Sequence, residues 1–561
     1  MKLPDQLTLP GFLRELERSD PERAAIVFQQ DDDEYPITYR ELVQRAGGFS
    51  RALNNAGIEA GEPVIIILEH SLDLVFAFFG ALLNGSIPAI MPFLTEKLSP
   101  ERYRESLASL IEITRPAALI SYRGFESEID LLPIQGSSIR KVIYVDDLRL
   151  KVEWSWDEFG KMERAPEELA LLQHSSGTTG LQKGVALSHQ AVINQLRSYT
   201  EALELTSDDV IVSWLPLYHD MGLIAGFILP ILTGVKLILM SPFDWVRAPY
   251  RLMRSVSKFG GTITWLPNFA FNFCAKKIMD RDLEGVQLSS LRAVINCSEP
   301  MRYESHEMFL DRFQPFGLQS SALATCYAMA ENVFAVTQGG IGEPVLVDEV
   351  SRQSISTQGE AQPVEAGEPS VCMLSAGTAI SNTHIRIIDA EGNRLADRVI
   401  GEIALQGDCL LSEYYRRPDL TQDAFTAGWY RTGDLGYLFK GQLFITGRAK
   451  ELIIVGGKNI YPQDLEALVY KVPGVYPGRA VAFGVENRSL GTEDVVVVVE
   501  RDETVDAQAS EINKAIRQVV ARGSDVTARY VQVVERGWLI KTSSGKNARR
   551  ANKEKYLHEF V

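Results

Sequence analysis

The chain has 561 residues, too many for a single hydrophobic core, so at least two domains are expected. Its apolar content of 45% and charged content of 23% are ordinary for a globular protein. The net charge of −16 argues against general nucleic-acid affinity, so we expect no nucleic-acid partner. The five cysteines form no CxxC pair, and residues 1–22 lack the layout of a signal peptide. Both features favour a cytoplasmic protein with reduced thiols.

The first 300 residues alternate strand-like and helix-like apolar segments. Residues 38–55 predict an amphipathic helix that begins with a capping box of Thr38 and Glu41. Further helices are predicted at 72–83 and 100–114, and strands at 64–68, 87–91, 117–121, 141–145, 210–214, 235–240, 262–265 and 293–296. This alternation predicts an α/β fold with largely parallel sheets. Polar residues interrupt the most apolar region, 64–94, so no stable membrane insertion is expected.

The second half of the chain changes character. Residues 338–377 are rich in Glu, Gln, Ser, Pro and Gly, and we predict a loop or a loosely structured insertion there. Strands are predicted at 385–389, 402–406, 452–455, 480–483, 495–500 and 530–534, and a helix at 510–521. We therefore expect a large N-terminal domain, 1–448, made of two α/β subdomains and a small β-rich part. A small mobile α+β C-terminal domain, 449–561, follows a hinge near 447–451.

A loop of hydroxyls, glycines and one lysine lies between the apolar segments 169–172 and 184–187. Gly177 and Gly180 allow backbone N–H groups to turn around an anion, and Lys183 adds positive charge. The hydroxyl donors are Ser175, Ser176, Thr178 and Thr179. The loop is not a Walker loop, because Lys183 is followed by a glycine and a strand. The loop alone fits a nucleotide phosphate site and a Ser/Thr/Gly-rich surface turn equally well.

Three further stretches carry chemistry, each with a simpler alternative. Asp434 at a glycine turn can accept two ribose hydroxyls, with Arg448 donating to the same sugar; the alternative is a hairpin turn and a solvated arginine. Tyr327 can stack on a purine and Glu331 can hold Mg²⁺, or they are a buried tyrosine and a surface glutamate. Lys546 on a Ser/Gly loop can bridge a carboxylate and a phosphate, or belong to a flexible basic terminus.

In this order the stretches resemble the adenylate-forming superfamily of acyl-CoA ligases, nonribosomal adenylation domains and luciferases, from about residue 38 to 550. The resemblance implies ATP and Mg²⁺ as cofactors, with the 175–184 loop on the outer phosphates of ATP. It implies that Tyr327 stacks on adenine, Glu331 binds Mg²⁺, Asp434 and Arg448 bind the ribose, and Lys546 contacts the carboxylate and the α-phosphate. It also implies nucleotide contacts for Ser298, Glu299, Pro300 and Ala330, and a hinge at Lys450.

Within that superfamily, residues 213–223, 266–271, 297–300 and 457–464 resemble the fatty acyl-AMP ligases. That branch carries an insertion and passes a fatty acyl group to the phosphopantetheine thiol of an acyl carrier protein. Ala328 and Cys297 depart from the glycines usual in the family, so we expect slightly tighter nucleotide packing with retained activity.

The acyl group needs an apolar site. Phe227, Trp265, Asn268 and Phe269 are the candidates for substrate contact, although aromatic residues at such spacing are more often core. His219 matches a position at the acid pocket of the family, with a structural histidine as the alternative.

Two other functions stay open at this point: a fatty acyl-CoA synthetase, and a catalytically silent homologue that binds a carrier protein. The intact Lys546, Glu331, Asp434 and phosphate loop favour an enzyme over a silent homologue. We expect a monomer. Residues 541–561 hold six Lys/Arg and two Asp/Glu. This net charge of +4 predicts a docking patch for an acidic carrier, with Arg549 and Arg550 as candidates, or simply a solvated terminal helix.

Overall fold

The computed structural model describes residues 8–94, 100–148, 153–160, 163–175, 183–456, 458–487, 492–524, 526–542 and 545–560. Its α-helices are Leu9–Ser19, Tyr39–Asn55, Leu72–Leu83, Pro100–Thr114, Glu126–Ile129, Trp156–Phe159, His189–Ala202, Leu229–Thr233, Pro242–Arg247, Tyr250–Phe259, Asn268–Lys277, Tyr303–Phe313, Pro418–Ala424, Pro462–Val469, Ala509–Gly523 and Arg549–Phe560. Within these ranges no helix is long and apolar enough to cross a bilayer.

A nine-stranded sheet forms the centre of the molecule. Its strands, in spatial order, are Thr378–Ala379, Ala335–Gly339, Leu323–Ala328, Ala293–Asn296, Ile263–Leu266, Val210–Ser213, Lys236–Met240, Ala24–Gln30 and Asp33–Thr38. The six from Leu323–Ala328 to Ala24–Gln30 are parallel, and antiparallel strands cover both edges. The predicted α/β fold with largely parallel sheets is confirmed.

Smaller sheets surround the central one. A four-stranded parallel sheet holds Ile87–Ile90, Pro63–Ile66, Ala118–Ser121 and Lys141–Tyr144. A three-stranded sheet holds Glu413–Tyr414, Lys183–Ser188 and Leu169–Ser175, and a five-stranded antiparallel sheet holds Thr383–Ile388, Gly401–Gly407, Trp429–Phe439, Phe425–Thr426 and Gln442–Arg448. The predicted helix cap is present, since the Glu41 N–H donates to Thr38 Oγ1 over 3.2 Å. The N-terminal strands Ala24–Gln30 and Asp33–Thr38 were not predicted.

Residues 338–377 are not a loosely structured insertion, and that prediction is wrong. The strands Val347–Ser351 and Ser370–Leu374 pair antiparallel, with a helical turn at Ser354–Gln358 between them. Val350 is fully buried beside Tyr437 and Phe444 of the five-stranded sheet. Asp348 accepts hydrogen bonds from Tyr437 over 2.9 Å and from Arg398 over 2.8 Å. Although the composition of this hairpin is polar, one of its sides faces the core. The hydrogen bonds of the buried Asp348 carboxylate hold that side in place.

The C-terminal part has its own core. The strands Val475–Asn487, Thr492–Arg501 and Ala528–Val534 form a sheet, and Ile453–Val455 pairs with Lys458–Ile460. Val497, Val499, Ile512 and Ile516 are completely or almost completely buried between this sheet and the helix Ala509–Gly523. The predicted strand–helix alternation of this region is confirmed.

Arg549 is a structural residue and not part of a docking surface, contrary to the prediction for the basic tail. Its side chain is 13% exposed and forms ion pairs with Glu451 and with Glu466, the latter over 2.7 Å. Burial raises the pKa of Glu466, and the charge of Arg549 opposes that rise. Arg550, by contrast, is 57% exposed and forms an ion pair with Glu554 on its own helix.

These two neighbouring arginines allow a matched stability test. We expect Arg549→Ala to lower the free energy of unfolding of the C-terminal part by about 3 kcal/mol, because it leaves the buried Glu466 carboxylate without a counter-charge. Arg550→Ala should change it by less than about 0.5 kcal/mol. Urea denaturation of the two variants measures both values, and equal effects would contradict the structural role of Arg549.

Candidate functional site

The candidate site lies where the parallel strands of the central sheet end. Asn296 pairs with Thr325, so Ser298 and Tyr327 emerge side by side just beyond that pair. Ligands of open α/β sheets bind at this carboxyl edge. Ser298 has a left-handed backbone, with φ of 69°, and Glu299 accepts a hydrogen bond from the Phe269 N–H over 2.8 Å. Pro300 follows on the same loop.

Tyr327, Asp434 and Arg448 form one hydrogen-bonded cluster. The Tyr327 hydroxyl donates to Asp434 Oδ2 over 2.6 Å, and Arg448 Nε donates to Oδ1 over 3.0 Å. Asp434 and Arg448 are register partners on the adjacent strands Trp429–Phe439 and Gln442–Arg448, which explains their approach. The charge of Asp434 raises the pKa of Arg448, and burial raises the pKa of Tyr327. The cluster therefore holds the Asp434 carboxylate, 8% exposed to solvent, between a hydroxyl donor and a guanidinium donor.

A second cluster surrounds the Glu331 carboxylate. The Tyr414 hydroxyl lies 3.0 Å from Glu331 Oε1 and 2.9 Å from the Tyr430 hydroxyl. Lys183 Nζ lies 4.4 Å from the centre of the Tyr414 ring. Burial raises the pKa of Glu331, and Tyr414, Arg448 and Lys183 oppose that rise. Glu331 is thus a partly buried carboxylate with a hydroxyl donor and two cations nearby.

The backbone after Glu331 is strained. Val333 has φ of 60° and ψ of −57°, and the Phe334 N–H donates to the Asn332 carbonyl over 2.6 Å. This is a γ-turn of the rare kind, in a region that β-branched residues avoid. The Glu331 carbonyl also accepts from the Leu411 N–H over 2.8 Å. Together these contacts fix the short helical turn Ala330–Asn332, which carries the predicted residues Ala330 and Glu331.

His219 and Asp220 lie on the loop between the strand Val210–Ser213 and the π-helix Met221–Ile228. Burial and the nearby positive charge of Lys546 lower the pKa of His219 to about 3. Burial raises the pKa of Asp220, and the charge of Lys546 opposes that rise. Gly222 permits this tight loop, since an added Cβ would lie 2.1 Å from the Pro216 carbonyl oxygen. The exposed Lys546, which is predicted to be catalytic, therefore acts through its charge on both residues of the predicted acid pocket.

The predicted substrate residues differ in their surroundings. Phe227 is fully buried against Phe78 and Phe79, with ring centroids 5.6 and 5.5 Å away. Trp265 Nε1 donates to the Tyr199 hydroxyl over 2.8 Å, and Asn268 belongs to a buried amide network. Phe269 is 43% exposed. Their contact with an acyl group stays a prediction.

Several residues at the site were not found from the sequence. Tyr414 and Tyr430 have no local spacing that marks them, whereas Asp220 stands next to His219 in a quoted motif and could have been noted. Trp214 and Trp245 stack at 3.5 Å beside Phe269, and only their tertiary contact reveals them. Ser176, Gly177, Thr178, Thr179 and Gly180 lie outside the described residues, and Ser175 ends the strand Leu169–Ser175.

This fold and this grouping of residues define an adenylate-forming enzyme. The chain belongs to the AMP-binding enzyme family, whose model matches residues 13–415.

Individual relatives cover almost the whole chain. It is 31% identical to the 4-hydroxyphenylalkanoate adenylyltransferase of Mycobacterium tuberculosis, over 98% of this chain and 92% of that protein. It is 29% identical to the medium-chain-fatty-acid–[acyl-carrier-protein] ligase JamA of Moorena producens, over 99% and 96%. A solved structure from studies of fatty acyl-adenylate ligases from E. coli and L. pneumophila superimposes with a TM-score of 0.90, at 27% identity and over 99% of each chain.

The contact between Tyr327 and Asp434 can be tested with a chemically matched control. We expect Tyr327→Phe to raise the KM for ATP about three- to tenfold with little change in kcat, because Asp434, the predicted ribose ligand, loses the donor that orients its carboxylate. Tyr437→Phe also removes a hydroxyl that donates to a buried carboxylate, but away from the site. It should leave the KM for ATP unchanged. Steady-state adenylation rates at varied ATP measure both; a shift shared by the two variants would argue for a purely structural effect.

Proposed function

We propose that the protein activates a fatty acid with ATP, forming an acyl-adenylate and releasing pyrophosphate. It then transfers the acyl group to the phosphopantetheine thiol of an acyl carrier protein. The observation that supports this most strongly is that Asp434 with its donors Tyr327 and Arg448, and Glu331 with its donor Tyr414, are brought together beyond the end of the central sheet. The charge of Lys546, from the C-terminal part, also affects the pKa values of His219 and Asp220. The fatty acid and the carrier are supported by the similarity to the JamA ligase and to the fatty acyl-adenylate ligase structure.

The chemistry of the first step explains why the proposed site contains several positively charged side chains. The fatty acid carboxylate attacks the α-phosphorus of ATP, an oxygen–phosphorus bond forms, and the bond to pyrophosphate breaks. Two anions must approach each other, and the Lys546 ammonium offsets their repulsion. Asp434 and Arg448 would hold the ribose, and Lys183 at the end of the phosphate loop would contact the outer phosphates. The neutral His219 would border the carboxylate without adding charge.

Glu331 fits Mg²⁺ in the way usual for nucleotide enzymes. Mg²⁺ is commonly bound through one or two carboxylates, with substrate phosphates and water supplying the other ligands. Glu331 is one partly buried carboxylate near the charge of Lys183, and no group of three or more His, Cys, Asp or Glu side chains able to hold a metal occurs among the described residues. Such an ion would neutralise phosphate charge.

Lys546 should matter for adenylation rather than for folding. We expect Lys546→Ala to lower acyl-AMP formation roughly a hundredfold or more, which is about 3 kcal/mol of lost charge stabilisation. ATP binding and the melting temperature should change little. Single-turnover formation of acyl-AMP measures the effect, with Lys541→Ala on the same segment as a control. Normal adenylation by the Lys546 variant would remove this residue from the mechanism.

The second step needs a different arrangement, because a thiol must reach the acyl-adenylate where Lys546 now lies. We propose that residues 449–561 form a domain that rotates relative to 1–448 about Lys450. The hairpin of Val347–Ser351 and Ser370–Leu374 would limit this rotation. Arg352, just after its first strand, donates to the Gly523 carbonyl, and Tyr461 packs into the apolar cluster around Val350. Restricted rotation would disfavour CoA and leave the carrier as acceptor.

The free thiols fit a reducing compartment. All five cysteines are unpaired, and Cys274, Cys297, Cys326 and Cys409 are buried. This supports the proposed cytoplasmic location.

Substitution of Arg352 can test whether the hairpin disfavours CoA as the acyl acceptor. Deleting the hairpin would be less informative, because the hairpin is part of an apolar core and its loss would disturb the fold. We expect Arg352→Ala to raise the yield of acyl-CoA relative to acyl-carrier severalfold and to leave acyl-AMP formation intact. Glu365→Ala, on the exposed turn of the same segment, should leave that ratio unchanged. A panel of saturated fatty acids with both CoA and carrier present, analysed by mass spectrometry, gives both products. If the wild-type protein makes acyl-CoA as readily as acyl-carrier, the chain is an acyl-CoA synthetase.

A further inference from the structure

One ion pair joins the large N-terminal part of the chain to the C-terminal part at the surface. Arg302 Nη2 lies 2.8 Å from Asp464 Oδ1, and the two side chains are 28% and 51% exposed. Arg302 immediately precedes the helix Tyr303–Phe313, and Asp464 lies in the first turn of the helix Pro462–Val469. No feature of the sequence pairs these residues, which are 162 positions apart.

Hydrogen bonds within the large N-terminal part hold the backbone of Arg302 in place. Its backbone N–H donates to Asn268 Oδ1 over 3.0 Å, and Asn296 Nδ2 donates to the same oxygen over 3.0 Å. Asn268 in turn donates to Ser305 Oγ over 3.1 Å, and Asn296 is completely buried. The loop that ends at Arg302 therefore cannot follow the C-terminal part if that part rotates. It is also the loop that carries Ser298, Glu299 and Pro300.

Asp464 belongs to the C-terminal part of the chain. Its N–H closes a turn onto the Tyr461 carbonyl over 3.0 Å, at the start of a helix that packs on the C-terminal sheet. The neighbouring Gln463 reaches back across the junction and donates to the Thr446 carbonyl over 2.8 Å. Rotation about Lys450 would carry Asp464 away from Arg302, because one moves and the other does not.

We propose that Arg302 and Asp464 form a latch that holds the C-terminal domain where Lys546 reaches the adenylation site. Both are positioning residues, since neither touches the reacting atoms, and the inference rests on the proposed two-step function. An exposed ion pair shifts an equilibrium by a factor of about three to five, less at high salt. The latch is therefore strong enough to favour the first step and weak enough to open for the second.

A charge exchange tests the latch. Arg302→Asp and Asp464→Arg each place like charges opposite each other, and the double variant restores an attractive pair with the signs exchanged. We expect each single variant to slow acyl-AMP formation about three- to tenfold and the double variant to recover to within about twofold of wild type. Transfer of the acyl group from preformed acyl-AMP to carrier should be unchanged or faster in the single variants. Arg18→Asp, at an exposed ion pair with Glu15 within one helix, should change neither rate.

A readout independent of catalysis separates this inference from the proposed function. Opening of the latch should expose the junction, so trypsin should cleave after Lys450 several times faster in the single variants than in the wild type or the double variant. If the wild type forms no acyl-AMP but the cleavage rates follow this order, the latch stands and the proposed reaction does not. The latch is overturned if cleavage and adenylation are the same in all variants, or if the double variant is no better than the single ones. Equal slowing of both half-reactions would overturn it as well.

Discussion

A carboxylate that is removed from water needs donors to replace the solvent, and Asp434 obtains them from two other elements. Tyr327 comes from the central parallel sheet, and Arg448 comes from the last strand before the junction with the C-terminal part. The carboxylate therefore ties the central sheet to the five-stranded sheet and to the start of the proposed hinge. If Asp434 lost either donor, the placement of the predicted ribose site and of the hinge strand would both loosen.

The second carboxylate of the site, Glu331, is partly buried and has both neutral donors and positive charges around it. Tyrosine hydroxyls supply neutral donors, while Lys183 and Arg448 supply charge from a distance. The strained turn at Val333 suggests that packing holds the residues near Glu331 in an unfavourable conformation, as is common where geometry serves function. A site arranged in this way is rigid before any substrate arrives, which lowers the cost of organising the first step.

The sequence predicted the parts of the fold that depend on local patterns. The helices Leu72–Leu83 and Pro100–Thr114 and the cap at Thr38 follow from apolar spacing and capping chemistry. The hairpin at 347–374 was mistaken for a loop because its composition is polar. Its buried Asp348 can be recognised as a structural residue only from its hydrogen bonds with Tyr437 and Arg398, which are distant in sequence. Arg549 was mistaken for a surface charge for the same reason, since its partners Glu451 and Glu466 lie 98 and 83 residues away.

In the candidate site, too, the sequence predicted residues in local motifs but not those that depend on distant partners. The motifs identified Glu331, Asp434, Arg448 and Lys546 through the family resemblance, and the structure brings Asp434 and Arg448 into contact. No spacing in the sequence could reveal that Tyr327 donates to Asp434 or that Tyr414 donates to Glu331, because these pairs form only when separate sheets pack together. Sequence motifs therefore cannot predict side chains that organise a site only through tertiary contacts.

The junction between the two parts combines rigid and exchangeable contacts in a way that suits the proposed movement. Arg302 with Asp464 and Gln463 with the Thr446 carbonyl are polar contacts, which water can replace at low cost. The apolar contact at Tyr461 borders Gly447, three residues before Lys450, where a rotation would displace it least. Inside the C-terminal part, Arg549 binds Glu451 and Glu466 three positions after Lys546, so the lysine loop is fixed to its own domain. Lys546 would consequently enter and leave the site together with the whole domain, and the contacts that must break are the weak ones.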